Sequence, residues 1–218
     1  MKRILSILGV LALFLTVFAP QSSADAAAQV FHFRGGSQIA FATFSRTDGT
    51  LVTDTTIVVI DGFNQSPPNE PTPTPFLVAA VVIFQYDTTC PPEEGCDFTM
   101  NANGFTETPD FQFDRKLASA ELWATVPMTD RVSGRSFPLE VNLNWIGTGE
   151  TLHTVGNPFK IREPGILITI TGNNYRRSAE VSGSVIDLDT GFDFVSQATM
   201  FAELERASGN EIVIEIGR

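Results

Sequence analysis

The sequence predicts an all-β protein, an antiparallel β-sandwich or closed β-barrel of about ten strands in a single domain. Three observations predict it. Apolar and polar side chains alternate along many short segments, and turn pairs containing glycine, such as Asp48-Gly49 and Asn103-Gly104, separate these segments. Helical periodicity with capping residues is nearly absent.

The clearest alternation is in FPLEVNLNW, residues Phe137–Trp145. Its odd-numbered residues are all apolar and its even-numbered residues include a glutamate and two asparagines, which predicts a strand with one buried side. The same pattern predicts strands at Ile39–Phe44, Leu117–Met128, Ile166–Thr171, Ala179–Val185 and Glu211–Ile216.

Three further segments complete the predicted elements. Thr56–Ile60 and Phe76–Phe84 are apolar on both faces and are predicted to be strands buried on both sides. Ala198–Arg206 (ATMFAELER) is compatible with a helix or a strand. The proline-rich stretch at residues 65–75 predicts an extended loop inside the single domain, because the chain before it is too short to fold alone.

The first 26 residues have the features of a signal peptide. Lys2 and Arg3 precede an apolar run, Ile4–Phe18, and small residues follow at Ala24–Ala26. We therefore expect residues 1–26 to be removed and residues 27–218 to form a secreted, extracytoplasmic domain. No apolar run reaches the roughly 20 residues of a membrane-spanning helix, so no membrane span is expected.

Composition narrows the range of partners. The formal net charge is −11, from 14 basic and 25 acidic residues. A nucleic-acid-binding surface needs clustered lysine and arginine, so we expect no nucleic-acid partner.

The only two cysteines, Cys90 and Cys96, lie in TTCPPEEGCDF. Outside the cytoplasm, two cysteines this close predict a disulfide that closes a short loop. A zinc site would need two more ligands, and His32 and His153 lack the usual paired spacing.

No catalytic residues are predicted. A serine nucleophile motif is absent, and Asp110 and Asp114 in PDFQFD would lie roughly 13 Å apart on one strand face. Glycosidase carboxylates are closer, at roughly 5 to 9.5 Å. A partner from another strand, such as Glu121, keeps a secreted carbohydrate-active hydrolase open as an alternative.

No cofactor is expected, and calcium is the one candidate ion. Asp187, Asp189 and Asp193 occupy positions one, three and seven of DLDTGFD, which resembles a calcium loop. Glycine and glutamate are missing from the positions that such a loop requires. A hairpin turn between Val185 and Phe192 is the alternative interpretation.

Trp123 is the main candidate for ligand binding. In SAELWATVPM it shares a face with Glu121 and Thr125, opposite the apolar face. An exposed tryptophan on a flat sheet can stack on an apolar ligand face, whereas a loop or a second sheet would cover it. Tyr175 and Arg176 form a second candidate, in which a guanidinium holds an anionic group.

The predicted function is therefore a secreted, non-catalytic protein with a binding or surface-structural role. Its expected partner is a polysaccharide or a surface protein. Two alternatives remain: the hydrolase, and a structural envelope or matrix component in which Glu211–Ile216 (EIVIEI) pairs with a neighbour's sheet edge.

Overall fold

A computed structural model describes residues 29–65, 74–90, 97–155, 159–163 and 166–216. This part of the chain forms eleven β-strands and contains no helix. The strands are β1 Gln29–Asp48, β2 Leu51–Gln65, β3 Thr74–Asp87, β4 Met100–Thr106, β5 Asp110–Phe113, β6 Ser119–Asp130, β7 Ser136–Gly147, β8 Leu152–Val155, β9 Phe159–Glu163, β10 Ile166–Asp187 and β11 Thr199–Ile216.

All the strands pair antiparallel in one sheet that closes on itself. The order runs β11-β1-β2-β3-β4-β6-β7-β10, and β10 pairs again with β11, which makes a ring of eight strands. Strand β5 adds to β6, and β8 and β9 add to β10. The predicted all-β, antiparallel, single-domain fold is confirmed, with a barrel-like closure.

The core fills the inside of the ring with the inward residues of the alternating strands. Trp145 is fully buried, as its phase with the apolar face predicted, and its Nε1 donates a hydrogen bond to the Phe41 carbonyl at 3.0 Å. The most deeply buried side chains around it include Phe44, Ile57, Val59, Val81, Ile83, Leu122, Leu139, Leu143 and Leu204.

Strands β2 and β3, the two doubly apolar segments, are antiparallel neighbours. Their inward residues belong to the core, and Val58, Ala80 and Val82 on the outer side are also buried. The outer face of β2 and β3 is therefore buried at these three positions, as well as the inner face. Residues 66–73 of the proline-rich stretch lie outside the described residues.

The ambiguous segment Ala198–Arg206 lies almost entirely within strand β11. Ala202 and Leu204 face the core, and β11 pairs with β1 on one side and β10 on the other. This pairing overrides the weak local preference for a helix. Residues Glu211–Ile216 are also paired on both sides, so the free sheet edge expected there is wrong.

Different contacts with other strands are made before and after β6. Before β6, the Leu117 side chain is buried and its carbonyl accepts a hydrogen bond from Arg177, while the Arg115 carbonyl accepts one from Arg206. After β6, a turn places Arg135 beside Asp187 at the end of β10. In the described part of the chain, no helix is long and apolar enough to cross a membrane.

Candidate functional site

Trp123 lies on the outer side of β6 with 55% of its surface exposed. Its neighbours on the strand, Leu122 and Ala124, are buried in the core, so the alternation of the strand fixes the outward direction of the indole. Directly across are Asp110 of β5 and Asn142 of β7. The exposed position is the one that a ligand-stacking role requires.

Polar side chains surround Trp123 in two rows that cross four strands. One row is Asp110, Trp123, Asn142 and Ser184, and the next is Gln112, Glu121, Asn144 and Ser182. Directly paired residues have Cβ atoms about 4.5 to 5.5 Å apart. We call this surface the tryptophan face and define it as the outward residues Asp110, Gln112, Glu121, Trp123, Thr125, Glu140, Asn142, Asn144, Ser182 and Ser184.

The tryptophan face offers amides, hydroxyls and carboxylates, but no lysine, arginine or histidine. These groups can both donate and accept hydrogen bonds. Gly183 allows β10 to approach β7 closely under this face. Its φ is +131°, and a Cβ there would collide with the Asn142 carbonyl oxygen.

Asp110 and Glu121 come together, whereas Asp114 does not join them. Asp110 pairs with Trp123 and Gln112 pairs with Glu121, so the two acids are diagonal neighbours, about 7 to 8 Å apart. Asp114 instead lies in the turn before β6, where its Oδ1 accepts a hydrogen bond from the Lys116 amide at 2.9 Å.

Tyr175 and Arg176 are consecutive residues of β10 and point to its opposite sides. Arg176 shares the outer side with Ser182 but precedes it by six residues on the strand. Arg176 forms an ion pair with Glu205 at 2.6 Å. Burial would lower the pKa of Arg176, but the carboxylates of Glu205 and Glu203 outweigh it and raise that pKa.

Tyr175 is enclosed by two side chains from its neighbouring strands. His153 of β8 stacks on it in parallel, with ring centroids 4.2 Å apart, and the Arg206 guanidinium of β11 lies 4.3 Å from the ring centroid. Both partners pair directly with Tyr175 in the sheet. The two residues of the second candidate site are therefore engaged within the protein and do not converge.

The predicted calcium ligands belong to a braced hairpin turn. Asp187 is buried, and both of its carboxylate oxygens accept hydrogen bonds from Arg135, at 2.8 and 3.1 Å. Burial would raise the pKa of Asp187, but the backbone N–H of Asp189 and the Arg135 guanidinium together lower it.

The remaining contacts fit the hairpin interpretation of this segment. The Asp193 carboxylate accepts hydrogen bonds from the amides of Val185 and Val195, and the Asp187 amide donates to the Phe192 carbonyl. Among the described residues, no group of three histidine, cysteine, aspartate or glutamate side chains could hold a metal ion.

The cysteine prediction is only partly covered by the structure. No described cysteine is free, and Cys90 is the one within the described ranges. Cys96 lies outside them, so the Cys90–Cys96 pairing stays a prediction.

Sequence reasoning missed most members of the tryptophan face. Asn142, Asn144, Ser182 and Ser184 each occupy a polar position of an alternating segment, and that signal was available. Which strands lie beside Trp123 depends on long-range pairing, which alternation alone does not specify.

The fold and this surface define a class of protein: an antiparallel, ring-closed β protein with one exposed tryptophan on a polar outer face. No protein-family model and no curated protein matches the chain. A solved structure described as AttH from Nitrosomonas europaea is similar with a TM-score of 0.29 and 11% identity, covering 84% of this chain and 51% of that one. The chain thus spans about half the length of that structure.

Two structures of the enduracididine biosynthesis enzyme MppR are similar at a comparable level. One has HEPES buffer bound and the other is complexed with pyruvate. Both have TM-scores of 0.32, with 8% and 9% identity, covering 90% and 88% of this chain and 89% and 91% of theirs. TM-scores this low support no conclusion about the function of this chain.

Proposed function

We propose that this is a secreted, non-catalytic protein that binds polysaccharide on its tryptophan face. The observation that carries the proposal is the 55% exposure of Trp123 between Asp110 and Asn142 on the outside of a rigid strand. An indole ring stacks on the apolar C–H face of a sugar, and its N–H adds a donor.

The surroundings of Trp123 suit sugar hydroxyls. Asn142, Asn144 and Gln112 are exposed and can donate and accept, while Asp110 and Glu121 accept. The inward residues of the same strands are packed in the core, so binding need not order the backbone and only the outward side chains lose rotamer freedom. Four neighbouring strands about 4.8 Å apart give a continuous outer surface beside the indole for an extended chain.

A hydrolase remains the second candidate because Asp110 and Glu121 are diagonal neighbours beside Trp123. Their backbone spacing of about 7 to 8 Å allows the two carboxyl groups to adopt the separation found in inverting glycosidases. Both acids are exposed, however, whereas a general acid works from a desolvated site. Binding without cleavage is therefore the better supported function.

The alternative function, a structural envelope or matrix component, is no longer supported by the strand on which it depended. The strand Glu211–Ile216 was expected to offer a free edge to a neighbouring molecule, and it is paired on both sides instead.

Affinity electrophoresis in gels that contain a panel of polysaccharides tests the binding proposal. We expect retardation on at least one gel, lost in Trp123→Ala. The matched control is Phe105→Ala, which removes an aromatic ring of 42% exposure from the outer side of β4 and should keep the retardation. No retardation on any gel, or equal loss in the control, would contradict the proposal.

Release of reducing ends from the retained polysaccharide separates the two candidates. A binding protein releases none. Release that disappears in Asp110→Asn and in Glu121→Gln, with retardation kept, would establish the hydrolase instead.

A further inference from the structure

We propose that the tryptophan face selects amine-bearing, cationic polysaccharides over neutral ones and rejects anionic ones. This inference rests on the proposed function and names the chemical class of the ligand.

Three carboxylates surround the Trp123 indole on the sheet. Asp110 is directly across on β5, about 5 Å away between Cβ atoms. Glu121 precedes Trp123 by two residues on the same face of β6, roughly 7 Å along the strand. Glu140 pairs with Thr125 and is therefore diagonal to Trp123 on β7, at about 7 to 8 Å.

These carboxylates have no cationic partner within the described residues. The ion pairs of that part of the chain involve Arg46, Arg135 and Arg176, and none of them reaches Asp110, Glu121 or Glu140. The contrast with the acids of β11 is direct, since Glu203 and Glu205 face Arg176. The charge of the tryptophan face is therefore available to a ligand.

An aromatic ring flanked by carboxylates is the chemistry that recognises an ammonium group. A cation is attracted to the face of an indole, and the carboxylates add Coulomb attraction. A uronate or sulfate placed on the same ring would meet three like charges. Asp110 and Glu121 are exposed and Glu140 is half-buried. Carboxylates in contact with water at these distances each change affinity by a small factor, so their combined effect should be about tenfold at low salt.

Binding of matched soluble oligosaccharides tests the selectivity by calorimetry. The probes are glucosamine oligomers, their N-acetylated neutral counterparts and uronic-acid oligomers of equal length, all measured at about pH 6. We expect the glucosamine oligomers to bind about tenfold more tightly than the neutral ones at low salt, an advantage that shrinks as salt rises, and the uronic-acid oligomers to bind most weakly.

A triple variant, Asp110→Asn, Glu121→Gln and Glu140→Gln, should bind the glucosamine oligomers no more tightly than the neutral ones, because it keeps acceptor oxygens but no negative charge. The control is Asp48→Asn, Asp97→Asn and Glu150→Gln, which changes the net charge equally at exposed positions elsewhere. It should keep the preference.

The outcomes separate the two proposals. Neutral binding without an amine preference, or an equal loss of preference in the control variant, overturns the charge selectivity and leaves the binding site standing. An absence of binding to every probe, with unchanged melting temperatures in all variants, removes the binding site itself.

Discussion

The outer surface of the ring has two unlike regions. The tryptophan face, on β5, β6, β7 and β10, presents one large apolar side chain among polar ones. The other region, on β1 to β4 and β11, presents several aromatic rings around buried aliphatic residues. We call it the phenylalanine face and define it as Phe41, Val58, Phe76, Ala80, Val82, Phe84, Phe105 and Phe201.

The two regions differ in how their aromatic rings are covered. On the phenylalanine face three of the five rings contact another ring within the described ranges: Phe41 meets the edge of Phe201, and Phe84 packs against Phe98. Phe41 is only 9% exposed as a result of its packing. Trp123 forms no ring contact among the described residues and keeps more than half of its surface in water. The two faces therefore differ in ring contacts more than in exposure, since Phe84 and Phe201 are still 36% and 40% exposed.

The largest expected effect on stability comes from Trp145, which is buried in the core whereas Trp123 is exposed. Trp145→Ala should lower the free energy of unfolding by about 3 to 5 kcal/mol, because it leaves a large cavity. It also removes the hydrogen-bond donor to the Phe41 carbonyl. Chemical denaturation measures this loss. A loss below that of Trp123→Ala would break the distinction between the buried and the exposed tryptophan.

The next largest effect on stability is expected at Asp187, the last residue of β10, which contributes Ser182 and Ser184 to the tryptophan face. Asp187→Asn should lower the free energy of unfolding by about 2 to 3 kcal/mol near neutral pH, because hydrogen bonds to a charged group are lost. Arg135 then keeps its ion pair with Asp189, at 3.3 Å, and its position over the Phe137 ring.

The pH dependence of this effect has a definite sign. The pKa of Asp187 is lowered in the folded protein, from an ordinary value of 3.8, so its contribution is complete above that value. It is lost as the pH falls below 3.8 and through the folded pKa. Acid titration of stability should therefore show a shallower fall in Asp187→Asn than in the unaltered protein. Parallel curves would contradict the role of this carboxylate.

A smaller effect is expected on the phenylalanine face. Phe105→Ala should cost about 1 kcal/mol, since the ring is 42% exposed and only part of its surface is buried against the neighbouring strand. Thermal unfolding with a denaturant series measures it. A cost similar to that of Trp145→Ala would mean that the phenylalanine face is packed like the core.

Much of the fold could be predicted from the sequence because alternation is a local signal. Along most of β6 and β7 the alternation of apolar and polar residues matches the alternation of buried and exposed positions, with Asp130 and Ile146 as exceptions. This alternation placed Trp123 outside and Trp145 inside. The choice between a sandwich and a closed barrel could not be made from the sequence, because closure depends on β10 meeting both β7 and β11. Nothing local to NNYRRSAEV indicates that pairing.

The candidate site was predictable only in part for the same reason. Trp123 and Glu121 lie on one strand, so their shared face follows from spacing alone. The neighbour Asn142 was assigned to a polar face, but its position beside the indole required the register between β6 and β7. Tyr175 and Arg176 failed as a site because the sequence does not reveal partners such as Glu205 and His153, which come from other strands.

The smallest effect on stability should come from substitution of Trp123, and this variant gives the clearest comparison between the exposed and the buried tryptophan. Trp123→Phe should change the free energy of unfolding by less than about 0.5 kcal/mol, because surface substitutions away from buried contacts rarely cost more. Fluorescence gives a direct measurement, since the chain has two tryptophans. The unaltered protein should show one fraction that soluble quenchers reach and one that they do not. In Trp123→Phe only the protected emission of Trp145 should remain, and added polysaccharide, which protects Trp123 in the unaltered protein, should then change nothing. Quenching that persists in Trp123→Phe would show that Trp145 is accessible and that the two tryptophans do not differ as described.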